Sequence, residues 1–157
     1  MIDPSYWLMK SEPDVYSIDD LCRDGSTPWE GVRNYQARNF MTSQRIGDRV
    51  LFYHSNAKPP GIVGLAEVVR VAYPDASQFS PESPYFDKKA TLDHPRWWHT
   101  DIGYLAHFDR IITLDELRHT PDLDDMLLFK RSRLSIQPIN AAMWHVIVAL
   151  RKKIMHR

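Results

Sequence analysis

The sequence predicts an α+β domain built on a curved or barrel-like β-sheet with short flanking helices. Short apolar runs rich in strand-forming residues recur along the chain, and glycine or proline separates them. The helical signals between these runs are short and lack the regular strand–helix–strand order of a parallel sheet. The chain has 157 residues, of which 43% are hydrophobic and 25% are charged. This balance is typical of one globular domain with its own core, so we assign residues 1–157 to one domain.

Three strands are predicted in the first half of the chain. Residues 6–9 form a short apolar run that ends before Pro13. A Gly-Asp turn then precedes a strand over residues 49–54, and a long strand follows over residues 62–73. Gly64 inside the long strand indicates a close approach of another backbone or of a ligand.

The second half of the chain is expected to hold a long loop and two further strands. Residues 74–95 are rich in proline, serine and charged residues, and we interpret them as a flap that packs down through its aromatic residues. Strand character resumes over residues 97–108, and residues 134–137 alternate apolar and polar side chains. The segment between Gly25 and Trp29 is expected to be a loop.

Five short helical segments are predicted from capping patterns and apolar periodicity. Ser17 and Asn140 are candidate N-caps of the first and last helices. The inward-facing residues of the last helix are expected to be Trp144, Ile147, Val148 and Ile154. The other predicted helical segments cover residues 33–41, 113–119 and 121–128.

Charge and cysteine content limit the functional classes. The 20 basic and 20 acidic residues cancel, which argues against strong binding of nucleic acid regardless of its sequence. A protein that binds through one pocket remains compatible with this balance. Cys22 is the single cysteine, so no intrachain disulfide can form. Neither a signal peptide nor a membrane-spanning run is visible, so we expect a cytoplasmic protein, or a nuclear one if the source is eukaryotic.

Motifs for metal binding and for nucleophilic catalysis are missing from the sequence. The seven histidines show neither HxH nor HExxH spacing, and a lone cysteine cannot form a CxxC site. GxSxG and glycine-rich phosphate loops are also missing. We therefore expect no metal, no cofactor and no enzymatic activity. An enzyme that acts on nucleobases or RNA remains the alternative, and a protein-interaction module is a third class.

The stretch from Trp29 to Asn56 carries the strongest functional signal. It combines aromatic rings, amide side chains and arginines, the groups that recognise a planar ligand with polar edges, such as a nucleobase. Trp29 belongs to no apolar periodicity, so we expect its ring to line a pocket rather than the core. Helical spacing would align Asn34, Arg38 and Met41 on one face. Asn56 offers an amide edge, although a role as a turn residue explains it equally well.

Five motifs in order resemble those of the EVE domain family. They are YWLMKSEP (6–13), WEGVRNYQARNFM (29–41), GDRVLFYHSN (47–56), PGIVGLAEVV (60–69) and RLSIQPI (133–139). The resemblance covers nearly the whole chain. It implies a PUA-like fold akin to the YTH readers of methylated RNA. It also implies recognition of a modified base, with 5-hydroxymethylcytosine and 5-methylcytosine in DNA among the family's proposed targets.

The resemblance and the aromatic residues together give a set of expected binding residues. Those expected to contact the base are Lys10, Ser11, Trp29, Asn34, Tyr35, Tyr53, Ser55, Asn56, Trp97 and Gln137. Those expected to contact phosphates are Arg33, Arg38 and Arg133. The expected function is non-catalytic reading of a modified base in DNA or RNA, flipped out or single-stranded, by a monomer. An RNA-binding or RNA-modification-associated PUA-like module is the alternative within this fold.

Overall fold

The computed structural model describes residues 3–152 and is built on one six-stranded mixed sheet. The strands are β1 (Tyr6–Ser11), β2 (Ser26–Pro28), β3 (Arg49–His54), β4 (Gly61–Pro74), β5 (Trp98–Thr113) and β6 (Ile136–Ile139). They are arranged in the order β2-β5-β4-β3-β1-β6. The helices are α1 (Ile18–Asp24), α2 (Tyr35–Thr42), α3 (Leu114–Arg118), α4 (Leu127–Lys130) and α5 (Ala141–Leu150), with 3₁₀ turns at Ala76–Phe79 and Pro121–Leu123.

The sheet is curved, as the sequence predicts. β1 runs parallel to β3, whereas all the other strand pairs are antiparallel. The β4–β5 pairing shifts register four times along these long strands, and such bulges bend a sheet and increase its twist. A Cβ atom on Gly64 would lie 2.4 Å from the carbonyl oxygen of Ala106, so this glycine permits the predicted close backbone approach.

The core lies on both faces of the sheet because side chains alternate along each strand. Trp7 and Met9 of β1 pack into one cluster, together with buried residues of α1 and α2. Leu8 lies in the other cluster, which includes buried residues of α3, α4 and α5. At the end of β1, the protein surface on one side therefore lies over the first cluster, and the surface on the other side lies over the second.

The predicted helix caps are confirmed. Ser17 accepts a hydrogen bond from the Asp20 backbone N–H, and the Asp20 side chain accepts one from the Ser17 backbone, which completes a capping box. Asn140 caps α5 through the N–H of Met143 at 2.8 Å. Trp144 and Ile147 are buried as predicted, and Ile154 lies outside the described residues.

The second helix begins later than the sequence predicts. Asn34 has an extended backbone, with φ −118° and ψ 127°, and its side chain accepts a hydrogen bond from the Ala37 N–H at 2.9 Å. Asn34 is therefore the N-cap of α2 and does not share a helical face with Arg38 and Met41, so that prediction is wrong.

Other boundaries also differ from the predictions. Ser26–Pro28 pairs with β5 where a loop was expected, because an edge strand of three residues is too short for a periodic signal. The last strand lies at Ile136–Ile139 rather than at 134–137, and its register is set by pairing with β1. The predicted helix over 121–128 divides into a 3₁₀ turn and α4.

Candidate nucleic-acid interface

Two clefts flank the end of β1. The larger one, here the Trp29 cleft, has a volume of about 560 Å³ and lies over the core cluster that contains Trp29. Its walls are Lys10, Ser11, Glu12, Val15, Tyr16, Thr27, Pro28, Trp29, Glu30, Gly31, Val32, Arg33, Tyr85 and Ser135. It collects residues from β1, β2, the loop before α2 and the flap.

The second cleft, here the Tyr53 cleft, has a volume of about 430 Å³ and lies over the other core cluster. Its walls are Lys10, Ser11, Glu12, Tyr53, Ser55, Asn56, Pro60, Leu114, Arg118, Leu128, Ser132, Arg133 and Ser135. Four residues line both clefts: Lys10, Ser11, Glu12 and Ser135. Six of the ten predicted base-binding residues therefore line these clefts, and they are divided between the two.

The shared residues at the end of β1 are held by local contacts. The Lys10 ammonium donates to the Ser132 carbonyl at 3.0 Å and lies 5.9 Å from the centroid of the Tyr53 ring. Burial lowers the pKa of Lys10 from its ordinary value. The Ser11 hydroxyl donates to the Tyr16 carbonyl at 2.6 Å. This hydroxyl is therefore already engaged with the backbone, and its lone pairs remain available to accept from a ligand.

Trp29 belongs to the core and to the cleft wall at once. Its ring is 8% exposed and meets Phe52 edge-on, with the ring centroids 5.5 Å apart. Its backbone N–H donates to the Thr100 carbonyl at 2.9 Å. The expectation that Trp29 lies outside the core is wrong, because an irregular segment between β2 and α2 can bury a side chain without periodicity.

Tyr85, on the flap, forms a wall that the predicted residue set omits. A Cβ atom on Gly31 would lie 2.8 Å from the Tyr85 ring, so a glycine at this position lets the flap close down on the loop before α2. Gly31 also has φ +86°, a conformation that glycine adopts without strain. The aromatic residues of the flap indicated in the sequence that the flap packs down. Which residues they contact depends on the tertiary fold, because those residues are distant in the chain.

A buried carboxylate fastens the flap to this loop. Asp75 accepts hydrogen bonds from the Gly31 N–H at 2.8 Å and from the Ser77 N–H at 2.8 Å. Burial would raise the pKa of Asp75, but its hydrogen bonds from Ser77, Gly31 and Arg33 outweigh burial and hold the pKa below its ordinary value. The carboxylate is thus kept charged as an anchor.

Arg33 completes this anchor. Its guanidinium lies 3.2 Å from the Asp75 carboxylate and donates to the Tyr85 carbonyl at 2.7 Å. The side chain is 22% exposed. Because Asp75 neutralises its charge, the structure argues against the predicted phosphate contact of Arg33 and assigns it to holding the flap.

Tyr35, Trp97 and Arg38 form a separate stack that lines neither cleft. The Tyr35 and Trp97 rings lie 4.8 Å apart at an angle of 22°, and the Arg38 guanidinium carbon lies 4.7 Å from the Tyr35 centroid. Trp97 also donates its indole N–H to Asp87 at 2.8 Å. Arg96 contacts the Tyr35 hydroxyl. The predicted pocket roles of Tyr35 and Trp97 are therefore not supported, because they pack on each other instead.

Asn34 and Gln137 also lie outside both clefts. Asn34 is exposed, and its amide oxygen is used as the cap of α2. Gln137 is fully buried within β6 and donates its amide N–H to the Leu134 carbonyl at 2.9 Å. Gln137 lies away from the walls of both clefts, so its predicted contact with a bound base stays a prediction.

The remaining predicted residues line the Tyr53 cleft. Tyr53, Ser55, Asn56 and Arg133 come together there with Arg118, which sequence reasoning missed. Asn56 has φ +50° and donates to the Glu12 carboxylate at 3.1 Å, so it acts both as a turn residue and as a cleft wall.

Two negative findings apply to the described part of the chain. Within residues 3–152, no three histidine, cysteine, aspartate or glutamate side chains are grouped closely enough to hold a metal ion. No helix in the same range has the length and apolar character needed to cross a bilayer.

Comparison with known proteins decides the family. The sequence model of the EVE domain family matches residues 5–150, nearly the whole chain. The chain belongs to the EVE domain family. Human thymocyte nuclear protein 1 is 40% identical over 95% of this chain and 75% of the human protein. The same-named mouse protein is 41% identical over 93% of this chain and 73% of its own length.

Solved structures carry the same fold as this EVE domain. A hypothetical protein from Leishmania major is 48% identical, with a TM-score of 0.93 over 96% of each chain. The human THYN1 protein, solved in complex with DNA that contains 5-methylcytosine, is 40% identical. Its TM-score is 0.93 over 96% of this chain and 99% of that one. These matches confirm the predicted α+β, PUA-like architecture.

Proposed function

We propose that this EVE domain is a non-catalytic reader that binds a modified base of DNA or RNA, such as 5-methylcytosine or 5-hydroxymethylcytosine, in the Trp29 cleft. The observation that carries the proposal is the human THYN1 structure, which has this fold and was solved with DNA containing 5-methylcytosine. The shared name thymocyte nuclear protein 1 favours a nuclear rather than a cytoplasmic location if the source is eukaryotic.

The shape of the Trp29 cleft suits a single base. Its volume of about 560 Å³ falls within the range of roughly 300–1,000 Å³ of small-molecule sites. Trp29 and Tyr85 supply aromatic surface on two of its walls. Stacking on aromatic side chains contributes about 1–3 kcal/mol per base, which offsets much of the few kcal/mol needed to extract a base from a duplex.

The polar groups of the cleft complement the edge of a cytosine. The exposed carboxylates of Glu12 and Glu30 can accept from the exocyclic amino group, and the Lys10 ammonium can donate to the ring acceptors. Val15 and Val32 offer apolar surface against which a 5-methyl group can pack. The walls therefore combine stacking, edge recognition and a contact for the modification.

The same walls favour binding over chemistry. The Ser11 hydroxyl donates to a backbone carbonyl and, among residues 3–152, is not hydrogen-bonded to a side-chain base, as an activated nucleophile would be. The Asp75 carboxylate, held charged by its hydrogen bonds, serves the flap. The proposal is therefore a reader that leaves its ligand unchanged.

The test is a binding panel with the purified protein. Oligonucleotides of one sequence, as DNA and as RNA, would carry cytosine, 5-methylcytosine or 5-hydroxymethylcytosine at one position. We expect fluorescence anisotropy to show at least about tenfold tighter binding of one modified form. Equal affinity for every member of the panel would overturn the proposal. Mass spectrometry after long incubation should show unchanged oligonucleotides, and a mass change that depends on protein concentration would indicate an enzyme.

A further inference from the structure

We propose that the Tyr53 cleft binds a phosphate of the strand whose base occupies the Trp29 cleft, through Arg118 and Arg133. The inference rests on the proposed function and adds a backbone site to it. It also moves the predicted phosphate contact from Arg33 to Arg118, a residue that the sequence did not suggest.

The two clefts differ in charge. The Tyr53 cleft is lined by three cations, Lys10, Arg118 and Arg133, against one carboxylate. The Trp29 cleft has two cations and two carboxylates on its walls, and one of its cations, Arg33, is paired with Asp75. A neutral base suits the balanced cleft, whereas a phosphate is attracted to the positive one.

Arg118 and Arg133 are available to an external anion. Both are exposed, and neither forms an ion pair with any carboxylate in the range 3–152. The Arg118 guanidinium carbon lies 5.7 Å from the Phe129 ring centroid, a contact that positions the group without using its N–H donors. Arginine forks bind phosphate in two-point geometry, so both side chains suit this ligand.

Neutral donors on the same walls complete a phosphate site. Ser55 and Ser132 contribute hydroxyl groups, and Tyr53 contributes a phenol. Burial raises the pKa of Tyr53, so the phenol stays protonated and can donate. Side chains with hydroxyl and guanidinium groups bind nucleic-acid phosphates and so fix the position of the protein along the strand.

Continuity between the clefts identifies the occupant as a phosphodiester of the bound strand. The clefts share Lys10, Ser11, Glu12 and Ser135, so a strand that leaves the Trp29 cleft crosses directly onto the Tyr53 cleft. The Lys10 ammonium is fixed at this crossing by the Ser132 carbonyl. A base in one cleft and its neighbouring phosphate in the other would fix the direction in which the strand lies on the protein.

The test compares Arg118→Gln/Arg133→Gln with the wild-type protein on an oligonucleotide that contains one 5-methylcytosine. The plot of log affinity against log salt concentration should lose about 0.7 in slope, since one phosphate of a single strand occupies the Tyr53 cleft and each such phosphate contributes about 0.7. Affinity should fall about tenfold or more for modified and unmodified oligonucleotides alike. The ratio of the two affinities should stay at the wild-type value.

A matched control removes two charges elsewhere. Lys88→Gln/Lys152→Gln changes exposed lysines that line neither cleft, and its salt slope should stay close to that of the wild type. Thermal melting should show that both double variants fold. If Arg118→Gln/Arg133→Gln binds like the control variant, the phosphate site is overturned while the reader function stands.

Oligonucleotides with one uncharged methylphosphonate linkage locate the phosphate. Neutralising the linkage that occupies the Tyr53 cleft should weaken binding to the wild type but not further weaken binding to the double arginine variant. Additive losses at every linkage would overturn the assignment. Failure of the proposed function is distinguishable, because the wild type would then bind modified and unmodified oligonucleotides equally whatever the slopes.

Discussion

Single residues in this domain combine packing with recognition. The Trp29 ring packs against Phe52 in the core, and Trp29 also lines the Trp29 cleft. Lys10 is half-buried beside Tyr53 and borders both clefts. A substitution at such a position changes stability and binding together, so a control must separate the two effects.

Trp29→Ala and Trp144→Ala make that separation. The two side chains are 8% and 9% exposed, but Trp144 packs against Tyr6 in the opposite core cluster and lines neither cleft. Each variant should lose about 3–5 kcal/mol in its free energy of unfolding. Below the melting temperature of both variants, Trp29→Ala alone should lose at least about tenfold in affinity for the modified oligonucleotide. A comparable loss in Trp144→Ala would remove Trp29 from the binding site.

At the scale of secondary-structure elements, the start of helix α1 is hydrogen-bonded to a histidine of β3. His54 Nε2 accepts a hydrogen bond from the Ile18 N–H, the first of α1, at 3.1 Å. Burial lowers the pKa of His54 below its ordinary value of 6.5. Protonation would remove the acceptor, so the folded state disfavours the charged imidazole.

The stability of the fold should therefore decline in mildly acidic solution. The unfolded chain takes up a proton at His54 more readily than the folded one, so this contribution is lost as pH falls from about 6.5 through the lower folded pKa. Urea unfolding at about pH 7 and about pH 5 should show a smaller decline for His54→Gln than for the wild type. His145→Gln, at an exposed position on α5, should match the wild type. Identical pH dependence in His54→Gln and the wild type would contradict this role.

The flap is the second element whose position depends on one contact set. Asp75→Asn removes the charge that pairs with Arg33 and weakens the hydrogen bond from Gly31. We expect a loss of about 1–3 kcal/mol in stability, faster proteolysis within residues 80–95 and weaker ligand binding. Asp93→Asn, at an exposed flap position, should leave all three unchanged. A protease pattern in Asp75→Asn equal to that of the wild type would show that other contacts hold the flap.

For the whole molecule, the balance of charge limits how much affinity phosphates can supply. The chain has equal numbers of basic and acidic residues, and several arginines form internal ion pairs. We predict a shallow salt slope of about two to four, since a slope near ten would require about ten phosphate contacts. Discrimination between modified and unmodified base should persist as salt rises, because contacts inside a cleft are weakly screened. A slope near ten without base preference would indicate non-specific backbone binding.

The sequence by itself determined the local structure and the family. The apolar run of the strand over residues 49–54 and the caps at Ser17 and Asn140 depend on neighbours a few residues away, and the structure confirms them. Five ordered motifs indicated the EVE family, which the comparison confirms. They also singled out Lys10, Ser11 and Trp29, which line the larger cleft.

Only the tertiary structure decided which of the predicted residues meet. Arg33 and Asp75 are 42 positions apart, and their pairing depends on how the flap closes. Gln137 is buried because β6 pairs with β1, and Tyr35 stacks on Trp97 instead of entering a cleft. Sequence periodicity shows which side chains share a face, but the order of strands in the sheet sets which faces adjoin. That order placed the two clefts at the end of β1 and brought Arg118 and Arg133 into the walls of the same cleft.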